Sequence, residues 1–167
     1  ILGAGIGLPV LVDGDRKSIV FNKIIDLKGD VHEKLSRHIP CQISLFNDAN
    51  AAAYTEIWKN SELKNAFYLM LSDNIGGCFV LNRTVYTGAT QKSGEVGHMT
   101  LVPGGKRCYC GQAGCVETYL AAGNLSALTD GDLQRFFGEL EQGDRRLAEA
   151  WDSYLHYLAL TVNTVHA

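Results

Sequence analysis

The sequence predicts a mixed fold of the α/β or α+β class, and three observations carry that expectation. Apolar, β-rich stretches and helix-forming stretches follow one another in mixed order along the chain. The C-terminal stretch repeats apolar side chains at the three- and four-residue spacing of an amphipathic helix. Of the 167 residues, 46% are hydrophobic and 20% charged, and 18 glycines stand against 3 prolines, which suits tight turns inside a packed fold.

Residues 6–12 (IGLPVLV) and 18–21 (SIVF) read as strands separated by the turn Asp13-Gly14-Asp15. Residues 30–39 read as a helix, with Val31, Leu35 and Ile39 on one face and Asp30 as N-cap. Cys41 to Phe46 is a short apolar strand, after which Asn47-Asp48 opens the Ala-rich helical stretch ANAAAYTEIWK. Residues 66–72 and 77–81 are strands on either side of a Gly-bearing turn, and Val85-Tyr86 starts the return of a hairpin around Asn82-Arg83. Residues 87–116 are loop-like and Gly-rich, and helical signals return at 117–122. The clearest helix is 144–166, with Leu147, Ala150, Trp151, Tyr154, Leu155, Leu158, Val162 and Val165 along one face.

Charge excludes one class of partner. Fifteen Lys and Arg against 18 Asp and Glu give a net charge of −3, so these residues carry no basic nucleic-acid footprint. No apolar run approaches the ~20 residues of a membrane-spanning helix, and no signal peptide opens the chain. The expectation is a cytoplasmic protein without a membrane partner. The chain begins at Ile1 inside a strand pattern and stops at Ala167 inside a helical one, which suggests a fragment of a longer protein.

The five cysteines divide in two. Cys41 and Cys78 sit in apolar strand patterns, where free thiols are ordinarily buried. Cys108, Cys110 and Cys115 form C-Y-C-G-Q-A-G-C, beginning ten residues after His98. Three thiolates and an imidazole make a tetrahedral Zn²⁺ shell, and four protein ligands leave no open position, so such a metal is structural. The competing reading is a disulfide or unligated thiols; an odd cysteine count and the lack of an export signal weigh against it. Elsewhere the residues alone point to ordinary roles. Asn47-Asp48 before an Ala-rich helix fits an N-cap, Glu95 and Glu117 fit solvated surface positions, and Asp73-Asn74 fits a β-turn.

A resemblance changes the weight of these positions. GEVGHMTLVPGGKRCYCGQAGCVE (residues 94–117) resembles the signature of the ROK family of sugar kinases and sugar-responsive repressors. NDANAAAYTE (residues 47–56) resembles that family's sugar-site motif, and the opening GAGIGLPVLVDGD resembles its segment built on a Gly-x-Pro turn, here Gly7-Leu8-Pro9. The resemblance implies an actin-like (ribonuclease H-like) fold of two lobes closing over a sugar. Residues 1–47 would be the C-terminal part of the first lobe, and residues 48–167 a second lobe, truncated at its C-terminus, that contains the Cys₃His zinc loop.

The same resemblance assigns roles. Asp48 matches the general base of the family's kinases, a carboxylate within reach of the attacking sugar hydroxyl. Asn47 matches a sugar-binding amide, and Glu95 and Glu117 match carboxylates that accept hydrogen bonds from ring hydroxyls. His98 would bind zinc through one ring nitrogen and reach the sugar with the other. One segment departs from the kinases. Where they carry a Gly-Thr-Gly-type phosphate loop, this chain has Ser72-Asp73-Asn74-Ile75-Gly76-Gly77, so that Asp73, Asn74, Gly76 and Gly77 stand at the phosphate-loop positions. A carboxylate beside phosphates costs Coulomb energy. Asp73-Asn74 and GKRCYCG are closer to the repressor branch. The expectation is therefore the sugar-binding effector domain of a transcriptional regulator, a homodimer that contacts DNA through a helix-turn-helix outside this chain. The alternative is a sugar kinase that uses ATP and Mg²⁺ with Asp48 as base.

Overall fold

Strand β1 (Gly3–Leu8) lies parallel to β4 (Gln42–Asn47), in register from Gly3 opposite Gln42 to Leu8 opposite Asn47. The structure, a computed structural model, describes residues 2–21 and 30–166. Ile1 and Ala167, the ends on which the fragment expectation rests, lie outside the described residues. The chain divides into two compact units, Ile1–Tyr68 with Gly77–Gly94, and Leu69–Gly76 with Glu95–Ala167.

In the first unit the expected strand 6–12 is two strands. β1 stops at Leu8, and β2 (Leu11–Val12) turns away to pair antiparallel with β3 (Ile19–Phe21). Pro9 explains the break, because it has no N–H for the ladder. The Asp15 carboxylate holds the hairpin turn by accepting from the Lys17 and Ser18 backbone N–H groups at 2.8 and 3.1 Å. Helix α1 (Val31–Ser36) starts at Asp30, whose side chain accepts from Glu33 N, as the sequence predicts. It ends three residues before Ile39, ahead of Pro40, which disfavours helical backbone at the residue before it. Val10, Val12, Ile43 and Leu45 form one core, against which Ile6, Leu8, Leu35 and Ile39 pack.

Helix α2 (Asp48–Lys59) follows β4 directly, and Asn47 is its N-cap. Its buried Ala53 and Ile57 pack with Cys78, Val80 and Val85 in a second core. Strands β5 (Ala66–Leu71), β6 (Ile75–Leu81) and β7 (Thr84–Tyr86) form a sheet in that order. Asn82 and Arg83 both have positive φ, 50° and 63°, the pattern of the two-residue hairpin turn that matches strand twist. The Arg83 guanidinium reaches from this turn to the C-terminal end of α2 and donates to the carbonyls of Ile57, Asn60 and Ser61.

The second unit is mostly helical beyond residue 116. Helix α3 (Glu117–Leu120) and helix α4 (Gly123–Ser126) are single turns. They lead to α5 (Leu133–Glu141) and the long α6 (Arg145–His166). Phe136, Leu147 and Leu120 are each fully buried. The apolar face expected on the last helix is only partly covered. Leu147, Tyr154 and Thr161 are buried at seven-residue intervals, while Leu155 and Val162 are 41% and 44% exposed. No described helix is long and apolar enough to cross a membrane.

Candidate sugar and metal site

The loop between β7 and α3 is organised around four side chains. A single 3₁₀ turn, Val96–His98, ends on His98. The following segment folds back on itself through isolated bridges, Thr100 to Cys115 and Arg107 to Ala113. Leu101 and Val102 N–H groups both donate to the Gly114 carbonyl, at 2.8 and 3.0 Å, and Cys108 N–H donates to Gln112 at 2.9 Å. Gly114 is required here. Its φ is +82°, and a Cβ would collide with the Val102 carbonyl.

These folds bring His98, Cys108, Cys110 and Cys115 together, with one ligand atom from each lying within 4.8 Å of every other. His98 Nδ1 is 3.7 Å from Cys108 Sγ, and the Sγ atoms of Cys110 and Cys115 are 3.7 Å apart. Two sulfurs bound tetrahedrally at about 2.3 Å from a zinc ion are about 3.8 Å from each other, so the cluster fits such a shell. Cys115 is fully buried, and burial with the neighbouring thiols pushes it up to about 12. A cation is what makes thiolates stable in that position. The four residues can hold a metal ion, as the cysteine spacing predicts. The sequence reading missed Tyr109. Its hydroxyl lies 3.3 Å from His98 Nε2, and the two rings meet edge to face at 5.2 Å. The other imidazole nitrogen, expected to reach a sugar, therefore faces Tyr109. Its position between two cysteines was the only signal for it.

The carboxylates are set by local structure. Glu95 precedes the 3₁₀ turn, and its carbonyl accepts from His98 N–H at 3.1 Å. Glu117 opens α3 two residues after Cys115 and is 6% exposed, not the solvated surface position that the residues alone suggest. Its Oε2 accepts from Ile75 N–H at 2.7 Å. Burial raises its carboxyl above the usual range, and that hydrogen bond partly opposes the shift.

Ser72, Asp73 and Asn74 make the turn between β5 and β6, with Ser72 Oγ donating to the Asn74 carbonyl at 2.7 Å. Asp73 is exposed. Gly76 and Gly77 lie inside β6 and not in the turn, since the strand begins at Ile75. At Gly77 a Cβ would come within 2.8 Å of the Phe67 ring.

In the first unit, Asn47 and Asp48 sit at the junction of β4 and α2. Asn47 Oδ1 accepts from Asn50 N–H at 3.1 Å, and its Nδ2 donates to the Val10 carbonyl at 3.3 Å. Asp48 is half-buried, and its Oδ1 accepts from Ala49 N–H at 2.9 Å. Burial raises its carboxyl above the usual range, against hydrogen bonds from Ala49 and its own N–H and from the Asn47 side chain.

The ROK family profile matches residues 1–167. The chain belongs to the ROK family. Among its ROK relatives, the xylose repressor of Bacillus subtilis is 40% identical over 128 residues, covering 71% of this chain and 32% of the repressor. The glucokinase of Halalkalibacterium halodurans is 32% identical over 132 residues, covering 77% of this chain and 40% of the enzyme. The crystal structure of the ROK hexokinase from Thermus thermophilus superposes with a TM-score of 0.77 at 28% identity, covering 98% of this chain and 57% of that one. The ROK fold, mixed α/β and actin-like, is thereby the fold of this chain. The chain spans well under half the length of the repressor and glucokinase it matches. ROK relatives include both repressors and kinases, and similarity alone does not separate them.

Proposed function

We propose that this chain is the sugar-binding effector part of a ROK transcriptional regulator, with Asn47, Asp48, Glu95, His98 and Glu117 as the sugar ligands, His98 exchanging its Tyr109 contact for a sugar hydroxyl. Residues 1–47 would then belong to a first lobe and residues 48–167 to a second. The observation that carries the regulator reading is Asp73. An exposed carboxylate occupies the β5–β6 turn, where the kinase branch brings phosphates.

Hydroxyl-rich ligands suit this residue set, because ionised carboxylates accept several O–H donors and an amide both donates and accepts. A Zn²⁺ ion held by His98, Cys108, Cys110 and Cys115 would supply no reacting group, since all four positions are filled by protein. The chain's own contribution is positional. The loop carries Glu95 and His98 on one short turn and Glu117 at the start of α3, so their spacing is fixed by the cluster. Sugar binding would shift the balance between two states of a homodimer and so change operator affinity through residues outside this chain.

A second reading is favoured by Asp48. A half-buried carboxylate with a raised proton affinity, held at the start of α2, is suited to take a proton from a sugar hydroxyl. In that reading the protein is an ATP- and Mg²⁺-dependent sugar kinase.

One experiment divides the readings. The intact gene product is assayed for ATP turnover with D-xylose, D-glucose and N-acetylmannosamine, and for binding of the same sugars by calorimetry. Binding without turnover is the expected result. Turnover that is abolished in Asp48→Asn would overturn the regulator reading.

A further inference from the structure

Three contacts tie residues 72–75 to the segment that carries the metal cluster. Glu117 Oε2 accepts from Ile75 N–H at 2.7 Å. Ala122 N–H donates to the Ser72 carbonyl at 2.9 Å. Gly97, next to His98, lies so close to the Ile75 carbonyl that a Cβ would collide with it, and that Cβ would also come within 3.0 Å of Glu117 Oε2. Glu117 and Ile75 are 6% and 7% exposed, so water does not compete for the hydrogen bond between them.

We infer that Glu117 is a positioning residue that couples sugar occupancy to the conformation of the Ser72–Ile75 turn. A single backbone N–H does not return the desolvation cost of a buried carboxylate, and a neutral acceptor would satisfy Ile75 as well. The carboxylate has lone-pair capacity beyond that one bond, and hydroxyl donors of a polyol fit it. A ligand that draws on Glu117 therefore acts on the Ile75 bond. A ligand that holds the Glu117 side chain in the conformation that meets Ile75 favours that bond, and by linkage the turn that makes the bond favours the ligand. The consequence serves either function. In a kinase the sugar would set the turn before nucleotide arrives, and in a regulator the turn would report that the sugar is present. The coupling rests on the reading of Glu117 as a sugar ligand, whereas the tether to Ile75 does not.

Hydrogen exchange read by mass spectrometry on the intact gene product tests both parts. A peptide covering 72–76 is followed, with one covering 78–85 as internal reference. Glu117→Ala should speed exchange at 72–76 about tenfold, leaving the reference unchanged. Glu117→Gln retains an amide oxygen as acceptor and should stay near the wild-type rate. Glu117→Asp keeps the charge but withdraws it by one methylene, so it should exchange as the Ala variant does and decides the point if that variant fails to fold. Saturating D-xylose, D-glucose or N-acetylmannosamine, whichever gives a calorimetric heat, should slow exchange at 72–76 at least threefold in wild type and not in Glu117→Asp. Wild-type exchange in the Ala and Asp variants would overturn the tether. Sugar heat with no change at 72–76 would overturn the coupling alone. No heat with any of the three sugars would instead overturn the sugar-site reading and the coupling with it, leaving the variant rates to decide the tether.

Discussion

Replacing Cys110 with Ser should release the metal and unfasten the loop between His98 and α3. The four ligands span residues 98 to 115, so a bound ion closes a loop of about 18 residues. Treated as a cross-link, closing a loop of that length restricts the unfolded chain by about 3 kcal/mol. The backbone bridges Thr100 to Cys115 and Arg107 to Ala113 also hold the segment, so the ion adds to a framework that the chain supplies in part. For a protein of this size, about 3 kcal/mol corresponds to a fall in Tm of about 6–12 °C. The assay pairs metal content per chain, by plasma mass spectrometry, with calorimetric melting of wild type and Cys110→Ser, each with and without chelator. Cys78→Ser is the control. Cys78 is fully buried in the core of the first unit, so its loss should lower Tm while leaving metal content intact. A wild-type protein that carries no metal and melts identically with and without chelator would refute the argument.

Three further outcomes are expected. Gly114→Ala forces a side chain onto a backbone at φ +82° and into the Val102 carbonyl, and should cost about 2 kcal/mol or more in urea unfolding together with lowered metal content. Phe136→Ala empties a fully buried site among α5 and α6 and should cost about 3–5 kcal/mol by the same measurement. Asp48→Asn should leave the protein at least as stable as wild type at pH 7 and, under the proposed function, abolish sugar binding. Burial raises the Asp48 carboxyl in the fold, so the folded state keeps its proton to higher pH than the unfolded chain, and ionisation weakens the fold as pH rises. The advantage of the Asn variant should accordingly disappear below about pH 4, where the carboxyl is protonated in both states, and a melting series in pH checks it.

Much of this architecture was legible because it depends on short-range pattern. The Asp30 cap, the Asn82-Arg83 turn and the spacing of Cys108, Cys110 and Cys115 each announce themselves within a few residues. Other features depend on partners distant in sequence. Nothing adjacent to Glu117 says that its carboxylate meets Ile75 N–H, 42 residues earlier in the chain. Pro9 marks the break, but apolar residues on both sides imitate one continuous strand. Helix α5 also had its signal, an Asp132 cap followed by Leu133, Phe136, Phe137 and Leu140 at helical spacing, hidden by the glycines on either side. On α6, periodicity identified the helix but not which part of its apolar face is covered, which is a property of neighbours and not of period.

The clasp of Arg83 on the end of α2 bears on how variants of this protein will be misread. Asp48 opens this helix of twelve residues, about 18 Å long, and Arg83 holds its other end. A planar fork that satisfies three carbonyls at once fixes the rod along its axis, and lysine would carry the charge without the fork. Under the proposed function, substitutions at Arg83 should therefore mimic lesions at Asp48, at the opposite end of the same helix. On that same proposal, a screen for loss of sugar response should return Arg83 beside Asp48, two addresses for one rod.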